Sequence, residues 1–141
     1  MRWRAADLLR LGGFLAAGTL AAGCFTDRQN AGARLYAQHC AHCHGDEGQG
    51  LKRLIPPLAG ADYVAENRNF LACLVRRGVN GPMVVNGITF NQVMPGHEDL
   101  TDSEITNLLN FVQSSWGNKG KPYTIREVSN QLQACAGSDG Q

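Results

Sequence analysis

The sequence predicts an all-α domain with one small hairpin and an additional C-terminal helix. Two capping boxes, Thr101 with Glu104 and Thr124 with Glu127, each open a run of apolar residues at helical spacing. Only the stretch Met83 to Phe90 reads as paired strands. The chain has 141 residues, room for one domain of ordinary size, and shows no internal repeat.

The amino-terminal residues are expected to lie outside the fold. Arg2, Arg4 and Arg10 form a positive segment, and Leu11 to Ala22 is an uncharged apolar run of twelve. That pattern suits a signal peptide over residues 1–23 and is too short to span a bilayer. A buried amphipathic helix would need a polar face, which the run lacks. Leu20-Ala21-Ala22-Gly23-Cys24 resembles a bacterial lipobox, although Ala21 stands where the commonest pattern has Leu. Cys24 would then carry a lipid and become the first mature residue. The alternative is cleavage after a nearby small residue, leaving Cys24 a thiol. Lipidation is the favoured reading and puts the protein on the periplasmic side, anchored to a membrane. Phe25 rather than Asp after the cysteine points to the outer membrane. Removing residues 1–23 takes three Arg and one Asp, leaving ten basic and eleven acidic residues. Net charge then steers partners weakly, and no basic stripe implies nucleic acid.

Residues 24–30 are short and polar, an expected tether. Asn30 can cap a helix from Ala31 to His39, in which Gly32 costs up to about 1 kcal/mol. A glycine kept at that cost suggests another backbone close by. Residues 45–62 are rich in Gly and Pro and read as loop. Asn67 or Asn69 can start a second helix ending near Arg76 and Arg77, with Gly78 as its stop. Asn86-Gly87 suits a type I′ turn between strands, and Met94-Pro95-Gly96 reads as a rigid turn. After Thr101, with Leu100 and Ile105 as a hydrophobic staple, the helical stripe is Ile105, Leu108, Leu109, Val112 and Trp116, stopped by Gly117. The last helix carries Ile125, Val128, Leu132 and Cys135 on one stripe. The expected organisation is a signal peptide over 1–23, a tether over 24–30, the domain over 31–118 and a helical extension over 119–141.

The chemistry sits in Cys40-Ala41-His42-Cys43-His44, a C-x-x-C-H haem-attachment motif. Two thiols three residues apart can reach both vinyl groups of one porphyrin from a single helical turn. The next side chain, His44, then lies under the iron as proximal ligand. A thioredoxin-like pair would want a βαβ context, and a zinc site using His39, His42 or His44 would want further ligands at knuckle spacing. Neither pattern is present.

The resemblance extends beyond the pentapeptide. Gly32, Tyr36, Cys40 to Gly45, Pro56-Pro57-Leu58-Ala59-Gly60, Gly81-Pro82, Val85-Asn86-Gly87, Met94-Pro95-Gly96 and Ser114 to Asn118 are similar to a class I c-type cytochrome. The likeness spans Asn30 to Asn118 and suits a monohaem protein, periplasmic or attached to a membrane as a lipoprotein. It implies a helical fold around one haem c, covalent through Cys40 and Cys43. It implies that Gly32 and Tyr36 on the first helix meet Leu108 and Phe111 on the last core helix. It also implies that the carbonyl of Pro56 accepts the Nδ1–H of His44, with Pro57 as the alternative. The sixth-ligand candidates are Met83, Met94, His39, His42 and His97. His39 and His42 sit on the attachment segment and cannot reach the other haem face, and Met83 reads as a core residue of the hairpin. Met94 holds the position that the resembled family uses. His/Met ligation suits an electron carrier and closes the iron to oxygen or peroxide.

The implied function is single-electron transfer between a donor dehydrogenase or quinol-oxidising complex and an acceptor oxidase or reductase. Lys52, Arg53, Arg76 and Arg77 are candidate docking charges. The alternatives are a haem enzyme or gas sensor with an open sixth position, and a non-haem metal-binding lipoprotein. With Cys40 and Cys43 on haem and Cys24 on lipid, Cys73 and Cys135 remain in an oxidising compartment. Their pairing would join the last helix to the core and close a loop worth roughly 4 kcal/mol in the chain-entropy model. The alternative is two unrelated cysteines.

Overall fold

The computed structural model describes residues 23–136. Apart from Gly23, the expected signal peptide lies outside the described residues, as do residues 137–141 of the extension. Among the described residues six helices run in chain order: α1 (Gly23–His39), α2 (Ala41–His44), α3 (Asp62–Glu66), α4 (Leu71–Arg77), α5 (Asp102–Ser114) and α6 (Ile125–Ala136). Four short strands lie between α4 and α5: β1 (Gly78–Val79), β2 (Met83–Val85), β3 (Ile88–Phe90) and β4 (Met94–Pro95). No described helix is long and apolar enough to cross a membrane.

The crossing of α1 and α5 organises the core. A Cβ on Gly32 would come within 2.3 Å of the Asn107 carbonyl oxygen and 2.7 Å of Phe111 Cβ. The glycine therefore lets two helix backbones touch, which offsets its poor helix propensity. One turn on, the rings of Tyr36 and Phe111 lie 5.4 Å apart, and Leu108 is buried beside them in the core. The stripe of α5 buries Ile105, Leu108, Leu109 and Val112, and Leu100 is buried as the staple requires. The Thr101 capping box closes in both directions: Thr101 Oγ1 accepts from the Glu104 amide, and Glu104 accepts from the Thr101 amide.

Several elements differ from expectation. Residues 24–30, expected as a short polar tether, are helical and open α1. No Gly or Pro lies between 24 and 31 to stop the helix, so Asn30 is interior and not a cap. The loop expected up to residue 62 closes into α3, and Asn67 ends that helix instead of starting one. Its side-chain amide donates to the Tyr63 carbonyl at 3.1 Å, and its backbone N–H uses the same oxygen. The next helix starts after Phe70 rather than at Asn69 and has no side-chain cap. It stops at Gly78 as expected, with φ of 75°. Trp116 lies beyond α5 with φ of 51°. The Asn118 side chain caps the helix end by donating to the Val112 carbonyl at 2.8 Å, and the Trp116 ring folds back to 4.8 Å from Tyr36.

The hairpin pairs Met83 with Phe90 and Val85 with Ile88, and Asn86 and Gly87 both take positive φ, as a type I′ turn needs. Met94-Pro95 is a strand, not a free turn: Val79 pairs with Met94 and Gly78 with Pro95. Two residues per strand leave no alternation in the sequence to read.

The C-terminal helix packs on α4 and α5. Its Thr124–Glu127 capping box forms, Val128 and Cys135 are buried, and Leu132 packs on the core. Ile125 is 54% exposed and does not join that stripe, because the first turn projects past the surface it covers. Cys73 and Cys135 form a disulfide with Cα atoms 6.0 Å apart. Arg68 adds a second tie, donating to the Pro122 carbonyl, pairing with Glu127 at 3.2 Å and lying 3.7 Å over the Tyr123 ring.

Candidate functional site

The C-x-x-C-H segment forms one helical turn at the end of α1. The Cys40 amide donates to the Tyr36 carbonyl at 2.8 Å, and the Cys40 carbonyl accepts from the amides of Cys43 and His44. This turn buries Cys40 and His44 and leaves Cys43 exposed. The phenol of Tyr36 donates to the Gly45 carbonyl and holds the exit of the turn. Burial, with the neighbouring Cys43, pushes the Cys40 thiol up to about 11. A thiol so far from its thiolate is a poor redox nucleophile, which opposes the thioredoxin-like reading.

His44 is held at one nitrogen. Its Nδ1 lies 3.0 Å from the Pro56 carbonyl oxygen, the partner expected over Pro57. The loop that delivers Pro56 folds on backbone bonds that include one from the Gly50 amide to the His44 carbonyl at 2.7 Å and one from the Leu51 amide to the Ile55 carbonyl. Gly50 is a site residue that sequence reasoning missed. A Cβ there would meet the Ile55 carbonyl oxygen at 2.4 Å and the Pro56 carbonyl carbon at 2.7 Å, and its φ is +68°. Burial lowers the His44 pKa, only partly opposed by the Pro56 bond, so the ring is neutral near pH 7. The hydrogen bond occupies Nδ1 and leaves the Nε2 lone pair available to a metal.

His44 opens onto an apolar cleft. Cys40, Pro56, Met83 and Met94 also line it, with apolar walls from Leu71, Leu74 and Val75 of α4 and Leu108, Leu109 and Val112 of α5. The α4 wall was not foreseen as part of the site, because a seven-residue helix shows too little periodicity. His97 is not among the lining residues; its ring meets that of His39 edge-on at 5.2 Å. Among the described residues no three His, Cys, Asp or Glu side chains converge into a metal cage. Arg76, a candidate docking charge, is held by Asp102 at 3.3 Å and by the Glu98 carbonyl.

A cleft walled by aliphatic side chains, with one neutral imidazole, two thiols on one turn and two methionine thioethers, fits haem. The apolar walls suit a macrocycle, and the nitrogen and sulfur donors suit iron.

The family model described as Cytochrome c matches residues 29–116. Cytochrome c-552 of Thermus thermophilus is 40% identical over 109 residues, covering 71% of this chain and 82% of that protein. The cytochrome c subunit of alcohol dehydrogenase (quinone) from Gluconobacter oxydans is 38% identical over 98 residues, covering 68% of this chain and 20% of that subunit. The gluconate 2-dehydrogenase cytochrome c subunit of Pantoea cypripedii is 30% identical over 106 residues, covering 73% of this chain and 24% of that subunit. The family match runs from within α1 to just past α5, the stretch that encloses the cleft, and the chain accordingly belongs to the cytochrome c family, as a class I electron carrier with covalently attached haem c.

Proposed function

We propose that Cys40 and Cys43 carry the haem as thioethers, that His44 and Met94 hold its iron, and that the protein passes single electrons between a dehydrogenase or quinol-oxidising donor and an acceptor oxidase or reductase. The observation that carries this reading is the His44 imidazole, neutral, bound at Nδ1 by Pro56 and facing a cleft that Met94 also lines. Bound haem supplies one-electron redox chemistry at its iron.

The chain's own residues orient that group and keep water from it. The Pro56 carbonyl fixes the His44 ring and raises the basicity of Nε2. Met94 is favoured over Met83 because Met83 packs against the hydrophobic core, whereas Met94 sits on a ribbon end between Val79 and Pro95. Leu74, Val75, Leu108 and Val112 keep the cleft apolar, which limits solvent access and tunes the redox potential of a bound haem. Two relatives bear the names of dehydrogenase cytochrome subunits, which supports a dehydrogenase partner. In the same reading residues 1–23 are removed on export, residues 31–118 hold the haem, and 119–141 form an extension. A lipid on Cys24 anchors the protein on the periplasmic side, at the outer membrane.

The test is the near-infrared sulfur-to-iron band of the oxidised protein. It should be present in the wild type, absent in Met94→Ala and retained in Met83→Ala. Ferrous wild type should resist CO, and Met94→Ala should bind it. A band that survives Met94→Ala overturns the ligand assignment, and ready CO binding by the wild type favours the open-site enzyme or sensor. For the anchor, the wild type should partition into detergent with acyl mass on Cys24; a soluble product without acyl chains removes it.

A further inference from the structure

We infer that the C-terminal helix α6 is a positioning brace for the Met94 segment, acting through α4. The link to the iron rests on the ligand assignment above; the link to the segment does not. Helix α4 is seven residues long and begins after Phe70 with no side-chain cap. A helix so short, with uncapped first-turn amides, is marginal alone. Helix α6 supplies what is missing. Gln131 Oε1 accepts from the Ala72 amide and Gln131 Nε2 donates to the Arg68 carbonyl, each at 3.3 Å. Cys135 bonds Cys73 one residue further on.

The other end of α4 holds the Met94 segment. Gly78 and Val79 pair with Pro95 and Met94, and the His97 amide donates to the Val75 carbonyl at 3.0 Å. A Cβ on Gly96 would lie 2.5 Å from the Arg76 carbonyl oxygen, so the two backbones are in contact. Arg76 reaches the Glu98 carbonyl at 2.9 Å and Asp102 at 3.3 Å. Asp102 in turn accepts from the Ser129 hydroxyl of α6 at 2.6 Å. Helix α6 thus grips α4 at its start through Cys135 and Gln131, and near its end through Ser129 and Asp102. The His44 side is held by bonds within residues 36–59, none of which involves α6. Loosening α6 should therefore free one side of the cleft and spare the other.

The experiment compares haem-loaded full-length wild type with Cys73→Ala/Cys135→Ala and with Ser129→Ala/Gln131→Ala, by amide hydrogen exchange and the near-infrared band. In both variants the His97 amide should exchange at least about tenfold faster, while the Gly50 amide, bonded to the His44 carbonyl, changes by less than about twofold. The near-infrared band should bleach on heating below the temperature at which helicity is lost. If one variant fails to accumulate as holoprotein, the other decides. Equal acceleration of both amides makes α6 a general stabiliser and overturns the inference, as does no change in either. A wild type without the band defeats Met94 ligation alone, and the exchange ratio still decides the brace.

Discussion

The two sides of the cleft are built by different means. His44 is positioned by neighbours in sequence: its own helical turn, the Gly50 amide and the Pro56 carbonyl, twelve residues away. Met94 is positioned by segments from elsewhere in the chain: strand β1, helix α4 and, through them, α6. A side made of local contacts can be written as a short motif. A side assembled from distant segments depends on the whole fold, and its rigidity can be tuned by changes far from the cleft.

The largest effects should come from the local side. Changing both Cys40 and Cys43 to Ala should abolish covalent haem, so that acid–acetone extraction leaves no colour with the protein. A variant that keeps its haem through extraction would defeat the thioether assignment. Gly50→Ala should come next, because its Cβ has no room and its backbone is left-handed. Overpacking and backbone strain should each cost about 1–3 kcal/mol, so about 2–6 kcal/mol together in urea unfolding, with weaker retention of the Pro56 bond.

On the distant side, Leu74→Ala removes part of the α4 wall and should cost about 2–4 kcal/mol, the range for a buried leucine. The haem should remain attached, which separates this change from those at the cysteines. Thr101→Ala breaks the capping box of α5 and should cost about 1 kcal/mol with an unchanged visible spectrum.

The smallest effect is a pH dependence in the extension. Bonds from Thr124 and Arg68 hold the Glu127 carboxyl below its ordinary value of 4.5. A carboxylate depressed in the folded state contributes stability above that ordinary value and loses it as pH falls through the lower, folded one. The melting temperature of the wild type should therefore drop more steeply below pH 4.5 than that of Glu127→Gln. Parallel curves would show that the Arg68–Glu127 pair adds nothing at this exposed position.

This contrast also explains what could be read from the sequence. The attachment turn, both capping boxes, the Asn86-Gly87 turn and the close approach at Gly32 each depend on a few adjacent residues, and all were readable. Pro56 and Met94 came only through family resemblance, since nothing in their local chemistry separates them from Pro57 or Met83. The β1–β4 ribbon was missed because it pairs residues far apart in the chain, the α4 wall because seven residues show too little periodicity, and the Asn67 cap because asparagine suits either end of a helix. Trp116 misled for a related reason: helical spacing from Val112 does not reveal that Asn118 has already ended the helix.

The crossing at Gly32 sets an order of events as well as a shape. Synthesis proceeds from the amino terminus, so α1 is complete long before Asn107 and Phe111, the residues it must touch, have been made. Until they arrive, Tyr36 and Cys40 have little to bury themselves against. Cys40 is only 9% exposed once the fold closes. Its thiol is therefore accessible to a modifying enzyme chiefly while the chain is unfinished or not yet collapsed. The helix crossing that completes the core is also the event that ends access to this cysteine.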